Sequence, residues 1–384
     1  MNAGSGSVWC SEACAVPEAS AVAPGTRVNS REACSILNGK FVRIASPIHN
    51  EIPVHGGTEM IIRSKQSSLG RIAVVLFGLF LFSGCAAVHQ AHSDLHMDHS
   101  SEAPAGANAD VTQDWAKQRL AKSPRHQEWV KVKYKPAGGK PEREVSAFVV
   151  FPEVKNKATA VIVIHEIFGM SDWVQSLTDQ LAEAGYVAIA PDLLSGMGPN
   201  GGGTAEIRAQ DSNAVGKAIR DLPPDQITAD LNAVADYVAK LPAANGKLVV
   251  TGYCWGGTQT FRYATNNSKL KAAFVFYGSA PVKEDQKTID KEALERIKAP
   301  VYGFYAGNDM RINGTLPPSI EAMKASNKQF EPVTYEGAGH GFMRAGDAPP
   351  PANDAEQKAK DDYAGNKKAR DDAWVRWKVL LAKI

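Results

Sequence analysis

The chain has 384 residues, and its 43 basic and 41 acidic side chains leave a formal charge of +2. That balance excludes the basic field a nucleic-acid partner requires, and a composition 44% hydrophobic and 22% charged belongs to a chain with a globular core. No phosphate loop, dinucleotide fingerprint or cofactor-lysine motif occurs, so neither a cofactor nor a metal is expected in the active centre.

Residues 1–59 show no clear periodicity and hold three unexplained cysteines, Cys10, Cys14 and Cys34. They are expected to be a disordered upstream extension, with Met60 as the true start. Met60 stands directly before a basic run at 61–71, an apolar run at 72–82 and Ser83-Gly84-Cys85. A basic region, a short apolar stretch and small residues before a Cys describe a secretory signal over 60–84, and the apolar run is short for a membrane span. Gly84-Cys85 resembles a bacterial lipobox, with Phe82 standing where Leu is usual. Cys85 is then the lipidated residue of an exported, periplasmic protein that touches the membrane only through its lipid anchor.

Residues 85–124 read as a flexible tether with a short helix. His89, His92, His96 and His99 cluster in it, beside Met97. A solvated linker is the simpler reading; the alternative is a site for Zn, Cu or Ni. With residues 1–59 removed and Cys85 lipidated, Cys254 is the one thiol left, and it has no disulfide partner in an oxidising compartment.

From residue 125 to 384 short apolar segments alternate with helical patterns. Val130–Tyr134 and Val145–Phe151 alternate in polarity and predict an antiparallel edge. Val161–His165, Val187–Pro191, Leu248–Tyr253, Ala272–Tyr277, Val301–Tyr305 and Pro332–Tyr335 are nearly continuous apolar runs, as a parallel sheet covered on both faces requires. In Gln226–Leu241 the residues Ile227, Leu231, Val234, Val238 and Leu241 share one helical face, with Asp225 as the expected N-cap. A last helix from about Asp354 buries Trp374, Trp377 and Leu381. The Gly-rich segment 196–204 is expected at a pocket rim. The fold class is α/β, with helices on both faces of a mostly parallel sheet.

Thr251-Gly-Tyr-Cys-Trp-Gly-Gly257 lies between the strand-like Lys247–Val250 and a helix-compatible segment. Strand, sharp turn and helix are the context of a nucleophile elbow, here with Cys254 at the apex. The positive end of the following helix favours a thiolate there. In α/β-hydrolases the acid and then the His follow the nucleophile along the chain. Asp309 closes the strand-like 301–309, and His340 sits between glycines after 330–335. His340 would take the thiol proton and later activate water, and Asp309 would orient the imidazole.

Taken together, Gly252-Tyr-Cys-Trp-Gly-Gly257, His165-Glu-Ile-Phe-Gly169, Ala190-Pro-Asp-Leu193, Gly307-Asn-Asp309 and Gly339-His-Gly-Phe-Met-Arg344 resemble the dienelactone hydrolases over roughly residues 125–384. The resemblance implies the α/β-hydrolase fold and cleavage of a small-molecule ester or lactone through a thioester. It gives Glu166 the role of helping to deprotonate Cys254 when substrate arrives. The amides of Ile167 and Trp255 would form the oxyanion hole. Arg344 matches an arginine that holds a substrate carboxylate, with Asp347 as an alternative partner for it, and Arg208 is the nearest candidate for a second such arginine. His165 is assigned to support of the oxyanion loop. A monomer or weak dimer is expected. Two other readings stay open: a hydrolase of the same fold acting on a peptide or aryl ester, and a lipid-anchored metal-handling protein on an inactive scaffold.

Overall fold

The computed structural model of the protein describes residues 113–384. The expectations for residues 1–59, the signal-like segment 60–84, Cys85 and the histidines between 89 and 99 fall outside the described residues.

Eight strands form one sheet: β1 (Gln127–Tyr134), β2 (Arg143–Val150), β3 (Ala158–Ile164), β4 (Val187–Pro191), β5 (Ala244–Tyr253), β6 (Ala272–Phe276), β7 (Val301–Ala306) and β8 (Phe330–Tyr335). Their order is β1-β2-β4-β3-β5-β6-β7-β8. β2 pairs antiparallel with both β1 and β4, and every other pairing is parallel. The expected antiparallel edge and six parallel strands are all present, with ends shifted by a few residues.

The composition of each strand explains its place. β3, β4 and β6 are buried at every position, which suits their Val, Ile, Ala and Phe content, because helices cover both faces of a parallel sheet. Ile162, Ile164, Val250 and Val275 pack on one face, and Val161, Val163, Val249, Phe274 and Phe276 on the other. The outer strands β1 and β8 are largely exposed. One buried charge is matched where β1 and β2 meet a helix: Asp230 accepts from Arg143 Nε at 2.6 Å, from Arg143 Nη2 at 2.8 Å and from the Tyr134 hydroxyl at 2.6 Å.

The helix holding Asp230 runs Pro224–Val238 and buries Ile227, Leu231, Val234 and Val238. Its N-cap is Pro223, and Asp225 lies inside the first turn, which corrects the expected cap. Two consecutive prolines start the helix earlier than Asp225, since Pro at the first helical position has no amide to satisfy. The last helix spans Gln357–Leu381 and buries Trp377 and Leu381, with Trp374 at its margin. A short helix, Asp114–Ala121, packs on the helix Asp172–Glu183. The Gln113 side chain accepts from the Trp173 amide at 2.8 Å, and Arg125 pairs with buried Asp179 at 2.7 Å. The compact part of the chain therefore begins ahead of residue 125.

Chain order places the site. After β3 the chain moves outward to β4, then returns to lay β5 on the opposite side of β3. The carboxyl ends of β3 and β5 thus border the crevice where an open α/β sheet binds ligands. Ile164 is paired with Gly252, so Glu166 and Cys254 leave the sheet side by side. Ala306 is paired with Tyr335, which does the same for the loops that carry Asp309 and His340.

Packing in this region is tight at Gly256. A Cβ there would lie 2.3 Å from the His165 carbonyl oxygen and 2.5 Å from that of Ile164. Those atoms are backbone and cannot step aside. Gly256→Ala is expected to destabilise the fold by about 3 kcal/mol, the upper range for overpacking, read as a lowered denaturation midpoint with an unchanged m-value.

Candidate active site

Cys254 sits between β5 and the helix Trp255–Asn266 with φ 56 and ψ −119. A non-glycine residue in the left-handed region is strained by about 1–3 kcal/mol. The strain is held by the Cys254 amide, which donates to the Phe276 carbonyl at 3.1 Å, and by the absence of side chains beneath it. A Cβ at Gly252 would lie 2.2 Å from the Gly256 carbonyl oxygen. The sulfur is half-buried, and the first amides of the helix have no partner within it.

His340 and Asp309 meet from neighbouring loops. His340 Nδ1 lies 2.5 Å from Asp309 Oδ2. The other carboxylate oxygen, Oδ1, accepts from the Ile312 amide at 3.2 Å as the cap of a short helix. Burial pushes the Asp309 carboxyl up, and the His340 hydrogen bond and charge outweigh it and hold it below the usual value. His340 Nε2 is buried and has no hydrogen-bond partner of good geometry. Burial opposes the His340 imidazolium, but the neighbouring Cys254 sulfur and then Asp309 raise its pKa to about 10.

Glu166 follows β3 and is almost fully buried. Its Oε2 accepts from Arg344 Nε at 2.9 Å. The Arg344 guanidinium lies over the Phe168 ring, 5.2 Å from its centroid. Asp347, the alternative partner, has its carboxylate on Arg119 at 2.8 Å and Arg370 at 3.0 Å. Arg208 holds the loop after β3 from behind: Nη2 donates to the Phe168 carbonyl at 2.6 Å and Nη1 to that of Met170 at 3.5 Å. Burial pulls the Arg208 pKa down, countered by Asp172 and Asp192.

His165 is fully buried. Its Nδ1 is 2.9 Å from the Glu166 carbonyl, its Nε2 accepts from the Leu193 amide at 3.4 Å, and its ring stacks on Trp255 at 5.5 Å. Nδ1 must therefore carry the proton, and burial keeps the ring neutral by lowering its pKa. This ring ties the Ile167 loop to the start of the helix that follows Cys254. The Gly-rich segment 196–204 is pinned internally, with Glu206 accepting from Asn200 and from the Gly202 amide, and Asp192 from Thr204.

The structure thus gathers Cys254, His340 and Asp309 at one edge of the sheet, sets the Glu166–Arg344 pair in the same region, and leaves Arg208 as a brace for the loop. Two neighbours escaped the sequence reading. Phe168 supports Arg344, and Tyr277, taken as the last residue of a strand, leaves β6 with φ 40 and its ring edge-on to His340 at 5.0 Å. A hydroxyl-bearing aromatic directly after the strand beside the elbow was the available signal. Among the described residues no cluster of His, Cys, Asp or Glu is arranged to hold a metal.

A mostly parallel sheet, a strained elbow at its carboxyl edge, and a His–Asp pair on the following loops define an α/β-hydrolase. Residues 145–384 match the model of the dienelactone hydrolase family, and the chain belongs to that family, a group of carboxylic ester hydrolases. A protein of Salmonella typhi assigned as a carboxymethylenebutenolidase is 35% identical over 205 residues, covering 52% of this chain and 73% of its own. Another so assigned, from Saccharolobus solfataricus, is 30% identical over 270 residues, covering 63% and 95%. The crystal structure of an assigned dienelactone hydrolase from Klebsiella pneumoniae is similar to 68% of this chain and 99% of its own, at 26% identity and a TM-score of 0.52.

The raised His340 pKa has a definite sign. The imidazolium stabilises the fold fully below its ordinary value of 6.5, and that contribution fades as pH rises through about 10. Cys254→Ser, which removes the strongest raising influence, is expected to bring the His340 titration down, followed by its imidazole NMR shifts between pH 5 and 11.

Proposed function

We propose that the protein hydrolyses a small ester or lactone bearing a carboxylate, through a Cys254–His340–Asp309 triad and a thioester intermediate. The observation that carries this reading is Cys254 strained at the helix start beside a His340 whose far nitrogen is held by Asp309.

Arg344 binds the substrate carboxylate in competition with Glu166. The freed Glu166 and His340 together draw the proton from the Cys254 thiol, and His340 ends as the imidazolium that Asp309 stabilises. The sulfur attacks the carbonyl carbon, and the amides of Trp255 and Ile167 stabilise the oxyanion. As the C–O bond breaks, His340 protonates the leaving oxygen. Neutral His340 then takes a proton from water, which attacks the thioester. The C–S bond breaks and the sulfur recovers a proton. In this scheme Arg208, which donates to the Phe168 carbonyl, supports the Glu166 loop, and Arg344 makes the substrate contact.

The test is hydrolysis of p-nitrophenyl acetate and of a dienelactone, with iodoacetamide as inhibitor and the adduct located by mass. Cys254→Ala is expected to reduce turnover to background with an unchanged melting temperature; retained turnover overturns the triad. Arg344→Met is expected to lower kcat/KM for carboxylate-bearing esters, relative to neutral ones, about 30-fold, the scale of losing one partner of a buried charge pair.

We also propose that residues 60–84 direct export and that Cys85 carries lipid, on the sequence pattern alone. In a bacterial host, radiolabelled palmitate is expected to enter the protein and to be lost in Cys85→Ser; an unlabelled parent protein overturns the anchor.

A further inference from the structure

Tyr277 stands at the carboxyl end of β6, between the strands that lead to Cys254 and to Asp309. Its backbone is in the left-handed region, φ 40, and its amide is tied to the Phe304 carbonyl at 2.8 Å. The side chain is fully buried, with its ring edge-on to His340 at 5.0 Å and to Phe342 at 5.3 Å. Its hydroxyl has no hydrogen-bond partner. Packing alone would favour Phe at such a position, since a buried hydroxyl without a partner is unfavourable.

The ring meets the two residues that flank Gly341, and a Cβ at Gly341 would lie 3.9 Å from Glu166 Oε1, so Glu166 borders the same loop; burial first, then Glu166, raises the Tyr277 pKa far above the ordinary tyrosine value. The phenol therefore keeps its proton and is available as a donor. Tyr253, also fully buried, accepts from the Thr251 hydroxyl at 3.3 Å, whereas the Tyr277 hydroxyl neither accepts nor donates. Of these two tyrosines Tyr277 is the one with no partner at all, and the neighbouring carboxylate is Glu166, held by Arg344.

We propose that Tyr277 is a positioning residue for Glu166: when a substrate carboxylate takes Arg344, the released Glu166 accepts a hydrogen bond from the Tyr277 hydroxyl and is held beside the Cys254 sulfur. This rests on the role given to Glu166 above. The phenol keeps its proton throughout, and the thiol proton moves as in the scheme already set out.

The test uses two alkylating reagents on the intact protein: iodoacetate, which carries a carboxylate for Arg344, and neutral iodoacetamide. Tyr277→Phe keeps the ring and removes the donor. It is expected to slow Cys254 alkylation by iodoacetate about tenfold, the scale of one hydrogen bond to a charged group, and to leave the iodoacetamide rate within about twofold. In a Glu166→Gln background the same change is expected to add no further slowing, as coupled residues require. Equal slowing with both reagents, equal slowing in both backgrounds, or an unchanged iodoacetate rate overturns the proposal. Glu166→Gln reacting with iodoacetate as fast as the parent overturns the Glu166 role itself, which separates that failure from one of Tyr277 alone.

Discussion

Backbone packs directly on backbone where Gly256 meets the carbonyls of Ile164 and His165, and the rest of the site depends on that approach. It brings the helix after Cys254 against the end of β3, so the helix's unsatisfied amides and the loop of Glu166 and Ile167 share one crevice. A side chain at Gly256 would push the two apart and separate Cys254 from the groups proposed to serve it. His165 reinforces the same contact through its bonds to the Glu166 carbonyl and Leu193 amide and its stacking on Trp255. The left-handed conformation of Cys254 follows from this packing: the chain must turn sharply to pass from a buried strand to a helix lying so close.

Two carboxylates occupy this edge of the sheet under different constraints. Asp309 has one oxygen on His340 and the other on a helix-capping amide, so it has little freedom to change partners. Glu166 is bound to a guanidinium that rests on an aromatic face, the partner that the proposed mechanism has an incoming anion take over. Fixed and exchangeable carboxylates suit an orienting group and a responding one respectively. Arg208 fixes the backbone of Phe168 through its carbonyl.

Much of this was legible in the sequence because it depended on local patterns. Apolar runs such as Ala272–Phe276 mark buried strands whatever surrounds them, and the Gly-x-Cys-x-Gly spacing carries its own steric reason. Boundaries were harder. Asp225 looks like a cap, yet Pro223 and Pro224 had already started the helix. Tyr277 continued the apolar run of β6, and only the hydrogen bonds from Cys254 and Tyr277 to neighbouring segments show why the chain turns after Phe276. The pairing of Glu166 with Arg344, 178 positions apart, has no local signature at all. Nor does the engagement of Asp347 by Arg119, 228 positions away, which frames a residue three places from Arg344.

That last contact bears on the order in which the molecule is completed. Asp347 takes bonds from Arg119, from Gln180 and from Arg370, so the loop that carries His340 and Arg344 is bounded by elements from both ends of the described chain. Contacts closing such long loops form late, because their entropy must be overcome before they contribute. The elbow needs only β3, β5, β6 and their immediate neighbours. A growing chain therefore places Cys254 and Glu166 together, before Asp309, His340 and Arg344, whose loop is bounded only once the C-terminal helix has docked.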